Sequence, residues 1–344
     1  MWRSWISFPA ALLLAIAFAA GAVARPVTDS AGRVVEVPDN VRRVFAAGPP
    51  ASTLLYVVAP ETMVGWTRAP RAEEKPFLLP RTRDLPELGR LTGRGNTLSL
   101  ERLLAEKPDL IIDFGTINDT YRSLADRVQN QTGIPYLLID GGFANTPNAL
   151  RLLGDVLGVK ARGDVLAREA ERILAAVDAT LAKIPQAERP KVYLARGPDG
   201  LESGTRGSIN TEMIERIGAI NPVDGLRESG GLVRVGAERL LALAPDAVIT
   251  LDALLRESLA TRPPWPELAA VRAGRVYVAP ALPFGFIDSP PSVNRLIGLN
   301  WLLHRLYPGK VEGDLRAEVA AFHRLFYQVE LDGPALDRLL GSSR

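Results

Sequence analysis

Two short aliphatic runs without polar alternation, residues 110–112 and 247–249, each follow a Pro-Asp pair. Such runs suit parallel strands buried on both faces. Upstream of each lies the same segment, Glu-Arg-Leu-Leu-Ala, at residues 101–105 and 238–242. Its residues favour a short helix, which the proline ends. The stretches 97–114 and 234–251 agree in register at Glu101/Glu238, Arg102/Arg239, Leu103/Leu240, Leu104/Leu241, Ala105/Ala242, Pro108/Pro245 and Asp109/Asp246. That agreement predicts two α/β lobes built on one plan.

The remaining pattern fills in both lobes. A hairpin is expected over 25–38, turning at Asp29-Ser30-Ala31-Gly32, and strands at 43–47, 63–66, 135–139, 192–195 and 275–279. Helices are expected at 52–58, 121–131, 146–157, 209–217 and from Pro290-Pro291 to about Tyr307, with a last amphipathic helix carrying Phe322, Leu325, Phe326 and Val329. Residues 68–88, rich in proline and charge, read as irregular. One apolar stripe is long. Leu166, Ala170, Ile173, Leu174, Val177 and Leu181 recur at helical spacing and predict a helix from an Asp164 cap to about Ile184. It would be roughly 30 Å long and stands between the two halves. Strand–loop–helix order dominates both halves, so both lobes are expected to be open, mostly parallel sheets with helices on both faces.

A chain of 344 residues is too long for one compact core and comfortable for two domains. With 47% apolar and 23% charged residues it is a globular protein, and a net charge of +2, spread along the chain, points to no nucleic-acid surface. The absence of cysteine excludes disulfides, thiolate metal sites and cysteine nucleophiles. Arg3, the apolar stretch 10–20 and the small residues Ala22 and Ala24 predict a secretory signal peptide cleaved after Ala24. No cysteine follows that site, so a lipid anchor is not expected and the mature protein is read as free and exported.

Catalytic chemistry is sparse. No nucleophile elbow, phosphate loop or dinucleotide fingerprint is present. His304 and His323, the only histidines, fall on expected C-terminal helices and read as packing residues. Ligands of open parallel sheets sit beyond the carboxyl ends of the strands, so the loops there define a cleft. They carry aromatic side chains (Trp66, Tyr121, Phe143, Phe284, Phe286) and guanidiniums (Arg68, Arg196, Arg206), with Arg94 in reach. Arginines suit carboxylates, catecholates and oxyanions. An exported hydrolase using Glu202 or Asp288 is the rival from another class.

The chain resembles the periplasmic substrate-binding proteins of ABC importers for iron chelates, haem and cobalamin. The resemblance covers essentially the whole mature chain. It rests on SLERLLAEKPDLII, the 164–184 helix, GSINTEMIERIGAINPV, GAERLLALAPDAVI, and SPPSVNRLIGLNWLLHRLYP with its AFHRLFYQV tail. It implies an α/β fold of two Rossmann-like lobes with mostly parallel sheets, joined by a single long helix. The N-terminal lobe would span 25–157, the bridge 158–188 and the C-terminal lobe 189–344. It also implies a periplasmic monomer with no cofactor, carrying a small-molecule metal chelate such as a ferric siderophore to an ABC importer permease dimer. By motif position, Glu101 and Glu238 would dock on that permease. The same fold could carry haem, a corrinoid or an oxyanion such as molybdate instead. The family's ligand contacts vary with cargo, so none is carried over.

Overall fold

The computed structural model describes residues 24–93, 95, 98–225 and 231–341. The expected signal peptide up to Val23, and Arg94, lie outside them. The N-terminal lobe runs β1 (Ala24–Thr28), β2 (Val34–Pro38), β3 (Val44–Ala46), α1 (Pro49–Val58), α2 (Leu100–Ala105), β4 (Leu110–Gly115), α3 (Asp119–Thr132), β5 (Tyr136–Asp140) and α4 (Thr146–Val156). Helix α5 (Lys160–Leu181) leads to the second lobe: β6 (Val192–Ala195), β7 (Glu202–Gly204), α6 (Glu212–Arg216), β8 (Leu232–Arg234), α7 (Ala237–Leu243), β9 (Ala247–Thr250), α8 (Ala253–Leu259), α9 (Ala269–Arg272) and β10 (Val276–Val278). Helices α10 (Arg295–Leu306), α11 (Leu315–Phe322) and α12 (Gly333–Gly341) close the chain.

The repeated motif produces repeated topology. Parallel strands β3, β4 and β5 lie side by side in one lobe, and β6, β9 and β10 in the other. Single parallel bridges at Val44–Met63 and Lys191–Ile220 extend the outer edge of each sheet at the same place. Met63 and Trp66 make isolated bridges rather than the expected strand. The Pro-Asp aspartates explain the register. Asp109 accepts the backbone N–H groups of Arg42 and Arg43 (both 2.8 Å), and Asp246 accepts that of Lys191 (2.8 Å). Each carboxylate thus fastens the start of the central strand to the start of the first. Just before each proline the chain takes a left-handed turn, at Lys107 (φ 47°) and Ala244 (φ 43°).

The apolar runs are buried on both faces, as parallel strands require. Leu110, Ile112, Val192, Leu194, Ala247 and Ile249 point into one core that runs from sheet to sheet through α1, α4, α5 and α10. Ile111 faces a second core in the first lobe, and Tyr193 and Val248 a third in the second lobe. The long helix starts at Lys160, earlier than an Asp164 cap would place it. The cause is a close crossing with α4. A Cβ on Gly163 would stand 2.7 Å from the Leu150 carbonyl and one on Gly154 2.8 Å from Gly163 Cα, so the first turn of α5 packs directly on α4. Asp164 turns instead toward Arg151 and Lys160 (both 3.8 Å). At the far end the chain begins α10 at Arg295, after the Pro290-Pro291 pair, and α11 continues into a π-helical turn over His323–Tyr327.

Candidate functional site

Between the lobes, beyond the carboxyl ends of both sheets, lie adjoining cavities of about 350 Å³ and 280 Å³ that share Pro49, Arg90, Asp288 and Pro290. The first lobe contributes Pro49, Pro50, Thr92, Asp113 and Tyr121 to the larger one. The second contributes Arg196, Ile209, Asn210, Leu232 and Asp288. Trp66, Arg68 and Phe284 line the smaller one.

Each wall is built by the strand that precedes it. Gly48 caps α1, whose first turn opens with Pro49-Pro50, so the proline rings face the cleft where N–H groups would otherwise be unpaired. In the second lobe the first strand leads instead into a hairpin. Arg196 and Glu202 exchange backbone hydrogen bonds (2.9 and 3.1 Å), which turns the Arg196 side chain into the cleft. The loop before α10 carries Asp288. It is seated by Gly298, where a Cβ would collide with the Phe286 carbonyl, and by the Asn294 amide, which donates to the carbonyls of Gly285 and Pro290.

The aromatic wall is prearranged. Trp66 and Phe284 pack 6.1 Å apart against Tyr56 (5.6 Å to each), and Phe284 meets Tyr327 edge-on at 5.4 Å. Trp66 donates its indole N–H to the Thr82 carbonyl (2.7 Å), and the Tyr56 hydroxyl donates to that of Tyr327 (2.9 Å). These bonds satisfy the polar ends of buried rings.

The electrostatics are less cationic than a count of arginines implies. Arg68 is held by both oxygens of Glu74 (2.9 and 3.0 Å). Arg196 stands 2.9 Å from Asp288 Oδ2 and 3.5 Å from Glu202 Oε1. Two acids face the cavity from opposite lobes. Asp113, at the end of β4, accepts hydrogen bonds from Thr92 Oγ1 and Tyr136 Oη (both 3.2 Å). Burial pushes its carboxyl up to about 6, against the lowering effect of those bonds. Burial likewise pushes Asp288 up to about 6, with Arg196 and Arg295 opposing the rise.

The sequence-derived candidates separate into groups. Trp66, Arg68, Tyr121, Arg196 and Phe284 line the cavities. Phe143 and Phe286 do not. Phe143 is buried beneath Arg295, whose guanidinium lies 4.4 Å from the ring centre, and fully buried Phe286 anchors its loop. Arg206 is on the surface, paired with Asp224 (Nε to Oδ2, 2.7 Å). Both histidines lie away from the cleft lining. His323 is buried among Phe77, Phe322 and Tyr327, and burial lowers its pKa to about 4. Sequence reasoning passed over Asp113 and Arg90. A lone acid inside the aliphatic strand LIIDFG was the available signal for the first; Arg90 carried none.

Beneath the cleft, Arg295 ties the lobes together. It is 1% exposed and donates to the carbonyls of Gly141 (2.6 Å) and Ile209 (2.9 Å) and to Glu212 Oε2 (3.0 Å). The other oxygen of Glu212 accepts the Phe143 N–H (2.9 Å). One charge pair thus binds the end of the first sheet to α6 and α10. Glu101 and Glu238 lie on the outside of the molecule, exposed in the first turns of α2 and α7, with no ion-pair partner among the described residues.

Comparison with known proteins agrees with this architecture. A solute-binding protein of an ABC transporter from Sulfurospirillum deleyianum superposes with a TM-score of 0.83 at 28% identity, covering 92% of this chain and 99% of that one. The molybdate-bound periplasmic protein MolA of Haemophilus influenzae superposes with a TM-score of 0.74 at 21% identity, covering 90% of this chain and 99% of MolA. An uncharacterized ABC transporter substrate-binding lipoprotein of Bacillus subtilis, YvrC, is 24% identical over 186 residues, which span 52% of this chain and 57% of that protein's length. The periplasmic binding protein family model matches residues 56–282, a stretch that takes in β4 and β5 of the first sheet and all of the second, and the chain belongs to that family.

Proposed function

We propose that this protein captures an iron-siderophore-type metal chelate in the inter-lobe cleft and delivers it to the permease of an ABC importer. The observation that carries this reading is the cleft's size and lining. Cavities of about 350 Å³ and 280 Å³ adjoin between apolar and aromatic walls, as suits a ligand with an organic shell. A bare tetrahedral oxyanion needs on the order of 100 Å³, scaling from roughly 30 Å³ per water, and would leave most of this space unfilled. MolA shares the fold at 21% identity, and its cargo does not follow from that. Haem fits less well. Burial, and then the neighbouring Asp113 carboxylate, raise the pKa of Tyr121, the candidate axial ligand, above its ordinary value, which disfavours the phenolate that haem iron takes. The protein is read as a carrier without catalysis, released to the periplasm, with Glu101 and Glu238 gripping the permease from one lobe each.

Tryptophan fluorescence tests the reading. Of the tryptophans in the described chain, Trp66 lines the cleft, whereas Trp265 and Trp301 are fully buried elsewhere. Titration with ferric siderophores, haem, cobalamin and molybdate should give saturable quenching by a ferric chelate, with a Kd below about 1 µM, and lose it in Trp66→Phe. Quenching by molybdate alone, or by none of these, would sink the proposal.

A further inference from the structure

Asp288 has a position that folding alone does not account for. Its side chain is wholly buried and borders both cavities, yet neither carboxylate oxygen has a hydrogen-bond partner among the described residues. Arg196 Nε is 2.9 Å away but misaligned, and is itself without a hydrogen bond. Buried carboxylates are ordinarily hydrogen-bonded, and one left short of donors at a cavity wall invites them from a ligand. The surrounding charge points the same way. Arg196 already answers to Asp288 and Glu202, and Arg68 to Glu74. Asp113 faces the same cavity with only neutral donors, Thr92 and Tyr136. An incoming polyanion would meet these two acids beside Arg90, which borders both cavities and donates its Nε–H to the Gly95 carbonyl (3.1 Å). It would gain Arg196 only by stripping Asp288 of its counter-charge.

We infer that Asp288, held against Arg196, selects cargo by charge: the cleft admits a neutral or cationic metal chelate that directs a hydrogen-bond donor or positive group at the Asp288 carboxylate, and turns away polyanionic ones. This rests on the reading above that the cleft carries a metal chelate. Charge varies widely among such chelates. Iron(III) bound by three hydroxamates is neutral, whereas iron(III) bound by three catecholates is a trianion. Like charges brought together without water between them oppose binding strongly, and that opposition gives specificity.

The probes follow from this: a neutral ferric tris-hydroxamate, a trianionic ferric tris-catecholate and molybdate, each titrated against the purified mature protein and its Asp288→Asn and Arg196→Gln variants. Thermal melts of each variant confirm folding. The wild type should hold the neutral chelate at least about tenfold tighter than the trianion. Asp288→Asn should narrow or reverse that order, strengthening the trianion by about tenfold and weakening the neutral chelate. Arg196→Gln should widen it. A wild type that prefers the trianion, or an Asp288→Asn variant that shifts every probe equally or none, overturns charge selection and leaves chelate carriage standing. If no chelate binds the wild type, carriage itself is overturned, and this inference with it.

Discussion

The two lobes are alike where they hold themselves together and unlike where they face each other. Asp109 and Asp246 seat equivalent strands by accepting the backbone N–H groups of Arg43 and Lys191, Asp109 taking that of Arg42 as well, each after a left-handed turn. At the cleft the correspondence ends. The β4 position that points across it is Asp113, and the equivalent β9 position is Thr250, whose hydroxyl bonds back to the Asp252 carbonyl (3.3 Å). After the first strand, one lobe enters α1 at Gly48-Pro49 and the other turns through Arg196 into a hairpin. The repeat thus holds at the residues that set strand register, where a change disturbs a whole sheet. The residues at strand ends are free to differ, and there the lobes acquire different charge.

The strongest way to break this arrangement is at the joint. Arg295→Ala removes a fully buried cation and leaves Glu212 Oε2 and three carbonyls without that donor. A loss of about 3–5 kcal/mol is expected in urea denaturation. A loss under about 1 kcal/mol would show that the lobes do not depend on this pair.

The cleft acids come next. Burial raises Asp113 and Asp288 from 3.8 to about 6, so between those values the folded protein binds more protons than the unfolded chain. The stability they contribute is complete below about pH 4 and is lost as pH rises through about 6. At pH 8, Asp288→Asn should therefore be more stable than the wild type, by about 1–3 kcal/mol. The gain should fade as the pH is lowered below 6. Asp113→Asn should gain less, because Asp113 gives up bonds from Thr92 and Tyr136. Melting curves from pH 8 to pH 5 decide this, and a gain that grows toward acid would contradict it.

The duplicated anchors sharpen the comparison at smaller scale. Asp109→Ala loses two backbone bonds and Asp246→Ala one, so costs of about 2 and about 1 kcal/mol are expected by urea denaturation. Equal costs would mean that the anchors do not work through those bonds. Smallest of all for the molecule itself is the double change Glu101→Ala with Glu238→Ala, within about 0.5 kcal/mol. Cargo affinity should stay the same while uptake in cells carrying the cognate importer is lost. Normal uptake would remove the docking role.

Much of the architecture could be read from periodicity. The runs after Pro108-Asp109 and Pro245-Asp246 are strands buried on both faces, and the stripe from Leu166 to Leu181 is a helix. These signals are local, since strand and helix repeats register within a few residues. The start of that helix was not legible, because it depends on Gly163 meeting Gly154 across a crossing. Nor was the start of α1, which opens at Pro49 under a Gly48 cap rather than at Ser52.

The site divides the same way. The sequence alone determined a two-lobe α/β chain with loops at the strand ends carrying aromatic and charged residues, since composition and hydrophobic rhythm decide which segments bury their faces. Only the tertiary structure decided which of those residues share the cleft. It drew Phe143 under Arg295, left Arg206 on the surface with Asp224, and brought Asp288 against Arg196. The physical reason is range. Burial of a strand follows from its own side chains, whereas the charge of a cleft is a sum over groups far apart in the chain, and a guanidinium's partner is known only once the lobes have met.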